Sequence, residues 1–316
     1  MTAVTTLNLV VMAKEPVADQ VVALTLAHPE RRRLPDWTPG AHIDLILPDG
    51  RTRQYSLCGS RWDSSTYRIA VLRDPDGRGG SAYIHDTLAV GDMVAVGGPR
   101  NNFALVPSGK YLFIAGGIGI TPMLSMLAQA DLLGCDWRLA YLGRSRRTMA
   151  FTADLAAYGD RVSISPDDEC GVSDLGEMLA SVEDDTVVFC CGPARLLDAV
   201  QRCCADWQPG RLRIERFVPK AQANAVRDTA FDIELRRSRR RVTVAPRQSV
   251  LEALRGAGAS VLSSCGQGVC GTCETTVLDG LPDHRDSILD DAEREAGDSM
   301  FVCVSRSLSD RLVLDL

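Results

Sequence analysis

The stretch Cys265-Gly-Gln-Gly-Val-Cys270-Gly-Thr-Cys273 places three cysteines in one short loop, and a fourth, Cys303, follows in the segment Met-Phe-Val-Cys-Val-Ser. The spacing C-x4-C-x2-C with a distant fourth cysteine is the plant-type pattern that holds a [2Fe-2S] cluster through four thiolates. The glycines of the loop favour this interpretation, because a chain that wraps a compact cluster needs conformations that glycine adopts at little cost. The stretch therefore predicts an electron-carrying domain at the end of the chain.

A zinc site and a group of unbonded thiols are the alternatives for these cysteines. Zinc is usually bound by two C-x2-C pairs, whereas here a loop with three cysteines is joined by one remote cysteine. The pattern favours the iron–sulfur cluster, with Cys265, Cys270, Cys273 and Cys303 as its ligands. We expect the other seven cysteines to be reduced residues of the core.

Length and composition limit what the rest of the chain can be. The chain has 316 residues, which predicts two or three domains. A hydrophobic fraction of 45%, a charged fraction of 24% and a net charge of −6 are typical of a globular protein and give no indication of nucleic-acid binding. The first residues do not resemble a signal peptide, and no apolar run has membrane-spanning length, so we expect a cytoplasmic protein without a membrane partner.

The middle of the chain has the pattern of a nucleotide-binding α/β unit. The apolar run Lys110–Ala115 is followed by Gly116-Gly117-Ile-Gly119-Ile-Thr121-Pro122 and then by residues with helical spacing. Glycines allow the backbone to approach a pyrophosphate, and Thr121 as N-cap with Pro122 at the first helical position would open the helix. Many strand–helix connections contain glycine for geometry alone, so this motif does not decide the function by itself.

The alternation of strands and helices continues after this motif. The segments Trp137–Leu142, Arg161–Ser165 and Thr186–Cys191 are strand-like, and the intervening segments Ala150–Ala157 and Ala194–Cys204 are helical in pattern. Recurring units of this kind predict a parallel sheet with ligands at its carboxyl edge. The sequence Cys191-Gly192-Pro193 then lies where a ligand would bind.

The first hundred residues instead show short alternating strands separated by turn signals, which predicts an antiparallel β-barrel or sandwich. Two motifs in this region fit a phosphate and a planar ring: Arg53-Gln-Tyr55-Ser56 and Arg78-Gly79-Gly80-Ser81. Taken alone, the first of them is more typical of an ordinary strand.

The order of these motifs resembles that of the phthalate dioxygenase reductase and vanillate demethylase reductase family, over nearly the whole chain. The resemblance implies a multidomain protein with an antiparallel β-barrel flavin domain, an α/β parallel-sheet nicotinamide domain and an α+β (β-grasp) plant-type ferredoxin domain. The expected boundaries are residues 1–106, 107–217 and 230–316 for the domains and 218–229 for a linker.

The resemblance also implies roles for individual residues. Arg53, Tyr55 and Ser56 would contact the flavin, with Ser56 near N5, while Gly79, Gly80 and Ser81 surround its terminal phosphate. The family usually holds FMN rather than FAD. The dinucleotide would be bound by Gly116, Gly117, Gly119, Thr121, Pro122, Cys191, Gly192 and Pro193. Phe217 resembles the aromatic residue that covers the flavin where nicotinamide enters.

Arg144 and Ser145 follow the second strand of the sheet. We expect them to lie beside the adenosine ribose, which binds at that position in folds of this kind. Arginines there suit a 2′-phosphate, but charges in such loops are usually solvated, and relatives mostly use NADH, so NADH is preferred to NADPH. Ser56, Thr121 and Cys191 are the residues expected to act in hydride transfer.

The implied activity is electron transfer from NAD(P)H through flavin and cluster to a terminal oxygenase, either a Rieske non-haem iron oxygenase or a cytochrome P450. A flavin oxidase or a redox sensor with a structural cluster explains fewer of the motifs. Between Val269 and Leu316 there are eleven acidic residues and four arginines, which predicts an acidic rim that steers a basic partner. The alternative is that these are solvated helix and turn charges.

Overall fold

The computed structural model describes residues 6–220 and 228–316 of the chain. The chain divides into two compact units, one reaching to Glu215 and the other running from Arg216 to Leu316. Residues 221–227, most of the expected linker, lie outside the described residues.

The first part of the first unit is an antiparallel β-barrel. Its sheet has the strand order β4-β3-β6-β1-β2-β5, and a bridge between Leu57 and Ile69 joins the two edge strands. The elements are β1 (Leu7–Ala18), β2 (Val21–Ala27), β3 (His42–Ile46), β4 (Thr52–Ser56), β5 (Thr66–Leu72), α1 (Gly80–Asp86) and β6 (Met93–Arg100). Apolar residues of alternate positions, among them Leu9, Leu45 and Ile69, fill the interior.

The second part of the first unit is a parallel sheet covered by helices. Its strand order is β11-β10-β7-β8-β9, and all neighbours are parallel. The elements are β7 (Lys110–Gly116), α2 (Thr121–Leu132), β8 (Asp136–Gly143), α3 (Thr152–Leu155), β9 (Val162–Pro166), α4 (Asp167–Cys170), α5 (Leu175–Ala180), β10 (Thr186–Cys191), α6 (Ala194–Cys203) and β11 (Leu212–Glu215).

This strand order creates a crevice at one edge of the sheet. The chain moves from β7 outward to β8 and β9, and then crosses back to β10 on the other side of β7. At such a switch point the connections that leave two neighbouring strands diverge, and ligands bind between them. The residues that follow β7 and β10 are the two motifs predicted to hold the dinucleotide.

The start of α2 differs from the prediction. A 3₁₀ helix, Gly117–Ile120, runs directly into α2, so Ile120 is the N-cap and Thr121 is already helical. The Thr121 hydroxyl donates a hydrogen bond to the carbonyl of Ile118 at 2.9 Å instead of accepting one from the helix. The assignment of Thr121 as N-cap was therefore wrong.

The helix predicted over Ala150–Ala157 is also shorter than expected. The α-helical part is Thr152–Leu155, and the chain continues as a 3₁₀ segment, Ala156–Arg161. Gly159 has a φ of 58°, which a regular helix does not allow.

The barrel and the parallel sheet pack against each other within the first unit. Phe103, which follows the last barrel strand, meets Phe189 of β10 edge to face with the ring centroids 5.3 Å apart. The amide of Asp19 donates a hydrogen bond to the carbonyl of Arg147 at 2.8 Å. A shared apolar core fixes the barrel relative to the crevice.

The second unit is an α+β fold. Its main sheet has the order β13-β12-β18-β14-β16, with β12 and β18 parallel, and a two-stranded sheet pairs β15 with β17. The elements are β12 (Phe231–Leu235), β13 (Arg240–Val244), α7 (Val250–Gly256), β14 (Glu274–Asp279), β15 (Pro282–Asp283), α8 (Asp291–Ala296), β16 (Ser299–Phe301), β17 (Arg306–Ser307) and β18 (Arg311–Leu314).

Both helices of the second unit begin with a capping box. Ser249 and Glu252 exchange side-chain and backbone hydrogen bonds at the start of α7, and Asp290 and Glu293 do the same for α8. Among the described residues, no helix is both long and apolar enough to cross a membrane.

Candidate functional site

The four predicted cluster ligands lie together in the second unit. Cys265, Cys270, Cys273 and Cys303 are all buried. The amide of Cys265 donates to the Cys270 sulfur at 3.4 Å, and the amide of Gln267 donates to the Cys265 sulfur at 3.2 Å. A hydrogen bond with Cys265 lowers the pKa of the Cys303 thiol, but contact with Cys273 and burial outweigh it and raise that pKa to about 12.

Glycine is required at one position of this loop by the space available. Gly268 has a φ of 69°, and a Cβ atom there would lie 2.7 Å from Val304 Cγ2 and 3.0 Å from Asp286 Cα. The amide of Ser287 also donates to the Gly268 carbonyl at 2.9 Å. The segment around Asp286 thus closes over the loop, and no larger residue fits between them.

The donor set fits a [2Fe-2S] cluster. Among residues 6–220 and 228–316, no three or more His, Cys, Asp or Glu side chains surround a single metal position. A binuclear cluster distributes its four sulfurs over two irons. Buried thiolates this close repel one another, and iron supplies the positive charge that offsets the repulsion.

The predicted flavin motif lies on β4. Arg53 and Tyr55 are two residues apart and point to the same face of the strand. Burial raises the pKa of the Tyr55 hydroxyl, so the ring is held in an apolar environment and stays uncharged. Ser56 is buried at the end of the strand, opposite His42 of β3.

Arg53 is part of a cationic group next to the Gly79-Gly80 turn. Its guanidinium donates to the carbonyl of Arg78 at 3.4 Å, and a Cβ on Gly80 would lie 2.6 Å from Arg53 Nε. Gly79 has a φ of 79°, and a Cβ there would lie 3.1 Å from Arg51 Nη1. Burial, followed by the charge of Arg78, lowers the pKa of Arg53.

Arg51 is already ion-paired with Asp49 at 2.5 Å. A phosphate would offset the remaining repulsion between Arg53 and Arg78. The motif Arg78-Gly79-Gly80-Ser81 contained Arg78, but Arg51 was not among the predicted site residues. A signal existed for Arg51, since it stands two residues before Arg53 and so shares its face. Ser81, also predicted here, accepts a hydrogen bond from the amide of Asp74 at 3.0 Å.

The two dinucleotide motifs meet at the switch point of the parallel sheet. A Cβ on Gly119 would lie 2.2 Å from the carbonyl oxygen of Cys191, and one on Gly116 would lie 2.7 Å from Pro193 Cδ. The glycines therefore allow backbone to pack on backbone at the crevice. Thr121 is buried beside this contact, with Pro122 following it in α2.

A carboxyl group that the sequence analysis missed lies next to Cys191. Glu215 pairs with Cys191 in the register of β10 and β11, and its Oε2 atom lies 3.9 Å from the Cys191 sulfur. Burial raises the pKa of Glu215 to about 8, and burial followed by the charge of Glu215 raises the pKa of Cys191. Near neutral pH the structure therefore holds an uncharged acid and an uncharged thiol at the crevice.

The expected ribose site is an exposed loop after β8. Arg144 is exposed, and the hydroxyl groups of Ser145 and Thr148 are 3.3 Å apart. Arg146 makes two hydrogen bonds to Glu169, at 3.1 and 2.7 Å, and Arg147 lies 3.1 Å from Asp19. Two of the three arginines of this loop are thus neutralised by carboxylates.

Phe217 belongs to the second unit, whereas the flavin motif belongs to the first. Its side chain is 40% exposed, which is unusual for a phenylalanine. The role of Phe217 in covering the flavin remains a prediction.

Comparison with known proteins gives matches over the whole chain. The family described as "2Fe-2S iron-sulfur cluster binding domain" matches residues 233–308. Phenoxybenzoate dioxygenase subunit beta of Ectopseudomonas oleovorans is 45% identical over 301 residues, which cover 95% of this chain and 94% of that protein.

Solved structures show the same arrangement of elements. Phthalate dioxygenase reductase, described as a modular structure for electron transfer from pyridine nucleotides to [2Fe-2S], is 38% identical, covers 98% of each chain and has a TM-score of 0.71. An intact type IV self-sufficient cytochrome P450 monooxygenase is 43% identical with a TM-score of 0.93, but the match covers 98% of this chain and only 41% of that one.

These matches confirm the predicted fold class and the [2Fe-2S] cluster, and they establish a flavin and a nicotinamide nucleotide as the other two cofactors. The chain is an oxidoreductase.

The Glu215 carboxyl predicts how stability depends on pH. Because its pKa is raised to about 8 in the folded state, the folded state loses stability as pH rises from the ordinary glutamate range through about 8. We expect Glu215→Gln to unfold at a higher temperature than the wild type at pH 9 and to differ much less at pH 5. Glu30→Gln, at an exposed position, serves as the control. A constant difference between Glu215→Gln and the wild type at both pH values contradicts a raised pKa.

Proposed function

Since the chain belongs to the phthalate dioxygenase reductase family, we propose that it is the reductase component of a multicomponent oxygenase, passing electrons from NADH through FMN and a [2Fe-2S] cluster to a Rieske-type oxygenase. The observation that carries this proposal is the presence in one chain of a switch-point crevice, a group of arginines at a glycine turn and four clustered buried cysteines. Flavin is the cofactor that accepts a pair of electrons and releases them singly. We place the protein in the cytoplasm.

The crevice residues orient the nicotinamide in this proposal. Gly117, where a Cβ would stand in open space, leaves room for the dinucleotide backbone. Gly116 and Gly119 allow the turn to pack directly on Cys191, Gly192 and Pro193, which form the opposite wall. Thr121 and Cys191 lie next to the ring. The Glu215 carboxyl beside Cys191 supplies a hydrogen-bonding group for the carboxamide of the nicotinamide.

The barrel residues hold the flavin. Tyr55 packs on the ring, Ser56 hydrogen-bonds at N5, and Arg53 with Gly79, Gly80 and Ser81 binds the phosphate. Phe217 covers the ring face until nicotinamide enters. We retain the domain boundaries 1–106, 107–217 and 230–316, with the linker at 218–229.

A cytochrome P450 is the second candidate acceptor. The observation in its favour is the likeness over 98% of this chain to part of a self-sufficient P450. The chain spans about two fifths of the length of that P450, so the haem part has no counterpart in the match.

Cys270→Ser tests the electron path. Without one thiolate ligand the cluster is lost, whereas the flavin and dinucleotide sites lie on the first unit and remain. We expect NADH oxidation with ferricyanide to continue and reduction of a one-electron acceptor protein, cytochrome c, to fall by more than tenfold. Cys203 was expected in the core but is exposed, as is Cys170, and Cys203→Ser is the matched control. Undiminished cytochrome c reduction by cluster-free protein supports a flavin oxidase with a structural cluster instead.

Ser56→Ala tests the contact at N5. Loss of one such hydrogen bond costs about 1 to 3 kcal/mol, so flavin reduction by NADH should slow roughly tenfold or more while flavin content stays nearly constant. Stopped-flow absorbance measures the rate. Ser125→Ala, at a buried serine of α2, controls for the removal of a hydroxyl group. A rate equal to that of the wild type removes Ser56 from the mechanism.

The identity of the flavin follows from the phosphate pocket. Arg53 and Arg78 lie at the Gly79-Gly80 turn, with Arg51 and its ion-pair partner Asp49 beside them, and two guanidinium groups at one position suit the dianionic terminal monoester of FMN. Heat-released flavin should comigrate with FMN in chromatography. Release of FAD contradicts this assignment.

The preference for NADH follows from the ribose loop. Arg146 and Arg147 are paired with carboxylates, which leaves Arg144 as the exposed arginine for a 2′-phosphate. We expect kcat/KM to favour NADH, and Arg144→Ala to change that ratio less than twofold. Arg147→Ala is the control. A wild-type preference for NADPH that Arg144→Ala reverses would show that this arginine binds a 2′-phosphate.

A further inference from the structure

The turn between β12 and β13 carries a dense group of positive charges. Arg236, Arg237, Arg239, Arg240 and Arg241 fall within six residues of a chain whose net charge is −6. The side chains of Arg236, Arg237 and Arg241 are 60%, 67% and 65% exposed. We refer to these five residues as the arginine hairpin.

The arginine hairpin encloses an open depression of about 560 Å³, lined by four of its arginines and Glu234. Nearby carboxylates compensate the charge in part. Arg237 pairs with Asp315, but Arg236 lies 3.9 Å from Glu234 and Arg241 lies 3.8 Å from Asp232, beyond hydrogen-bond distance. Five guanidinium groups therefore face three carboxylates, and the depression is positive.

Arg239 stands in the turn with a φ of 53°, in the left-handed region where glycine or asparagine is less strained. Arg31 and Arg247 share this conformation, so the charge and exposure of the arginine hairpin, and not its backbone, distinguish it.

Contacts lead from the arginine hairpin toward the cluster loop. The Arg240 guanidinium donates to the carbonyl of Ala257 at the end of α7, and the Arg255 guanidinium donates to the hydroxyl of Ser263. Ser263 stands two residues before the ligand Cys265. Leu262, in the same segment, is 45% exposed and offers an apolar contact beside the positive charge.

The acidic rim predicted from the sequence is largely used within the unit. Asp286 is buried, Asp290 and Glu293 form the capping box of α8, and Asp279 pairs with Arg311. Asp283 pairs with Arg285 at 2.5 Å. These carboxylates contribute less to the surface potential than their number suggests.

We propose that the arginine hairpin is a docking surface for an acidic face of the electron-accepting protein. The proposal rests on the proposed function, because it assumes that electrons leave through the cluster. Positive charge steers an acidic partner toward the segment before Cys265, and exposed Leu262 provides contact after the encounter.

The double variant Arg239→Glu/Arg241→Glu tests the docking surface, with cytochrome b5 as an acidic acceptor and cytochrome c as a basic one. At low ionic strength we expect kcat/KM for cytochrome b5 to fall about tenfold, and the difference from the wild type to close in high salt. Reduction of cytochrome c should not fall. Visible absorbance of flavin and cluster shows that the variant is folded.

The matched control is Arg31→Glu/Arg32→Glu in the barrel, where Arg31 also has a φ of 53° and Arg32 is exposed. An equal loss in this control, or no loss in the hairpin variant, overturns the proposal. Sedimentation in low salt provides a further test. If the wild type forms a dimer that the hairpin variant does not form, the proposal is overturned, because the arginine hairpin then binds a second copy of this chain. A failure of the proposed function gives a different result. If electrons do not leave through the cluster, Cys270→Ser protein still reduces both cytochromes.

Discussion

Four buried cysteines that converge on one loop of the second unit are the constraint on which the electron path depends. Thiolates at such short distances repel each other, and the positive charge of iron offsets that repulsion. In the barrel, Arg53 approaches Arg78, and Arg51 beside them is ion-paired with Asp49. In the proposed function a flavin phosphate binds there, so that each cofactor supplies charge of the sign opposite to the groups that hold it.

Most of the architecture could be predicted from the sequence, because apolar periodicity and turn residues report on local structure. The strands β7, β9 and β10 follow the predicted segments within a residue. The error at Thr121 has a physical cause. Glycine, proline and threonine mark a helix start, but they do not show that a 3₁₀ turn already precedes it and takes over the role of the cap. The spacing of apolar residues does not show which backbone carbonyl accepts the hydrogen bond of each amide.

Some site residues could likewise be predicted from the sequence, and others could not. The cluster ligands were predictable because three of them share one loop with a spacing that the chemistry requires. Glu215 was not, because it approaches Cys191 only through the parallel pairing of β10 and β11, 24 residues apart in sequence. Once the strand order is known, a carboxyl group at the edge where strands end becomes a candidate. Its raised pKa depends on burial, which no local motif encodes.

The surface charge of the second unit could not be predicted from a count of charged residues. A count of acidic residues between Val269 and Leu316 predicts a negative surface, yet a carboxylate that caps a helix or pairs with an arginine has its field largely cancelled at short range. Asp290 and Asp279 are used in these ways. A partner protein is attracted or repelled by the charges that have no opposite charge close to them. In the second unit these include the arginine hairpin, where guanidinium groups outnumber carboxylates. An overall acidic protein can therefore present a basic face beside the segment that leads to its cluster, and the two signs together orient an approaching partner better than either alone.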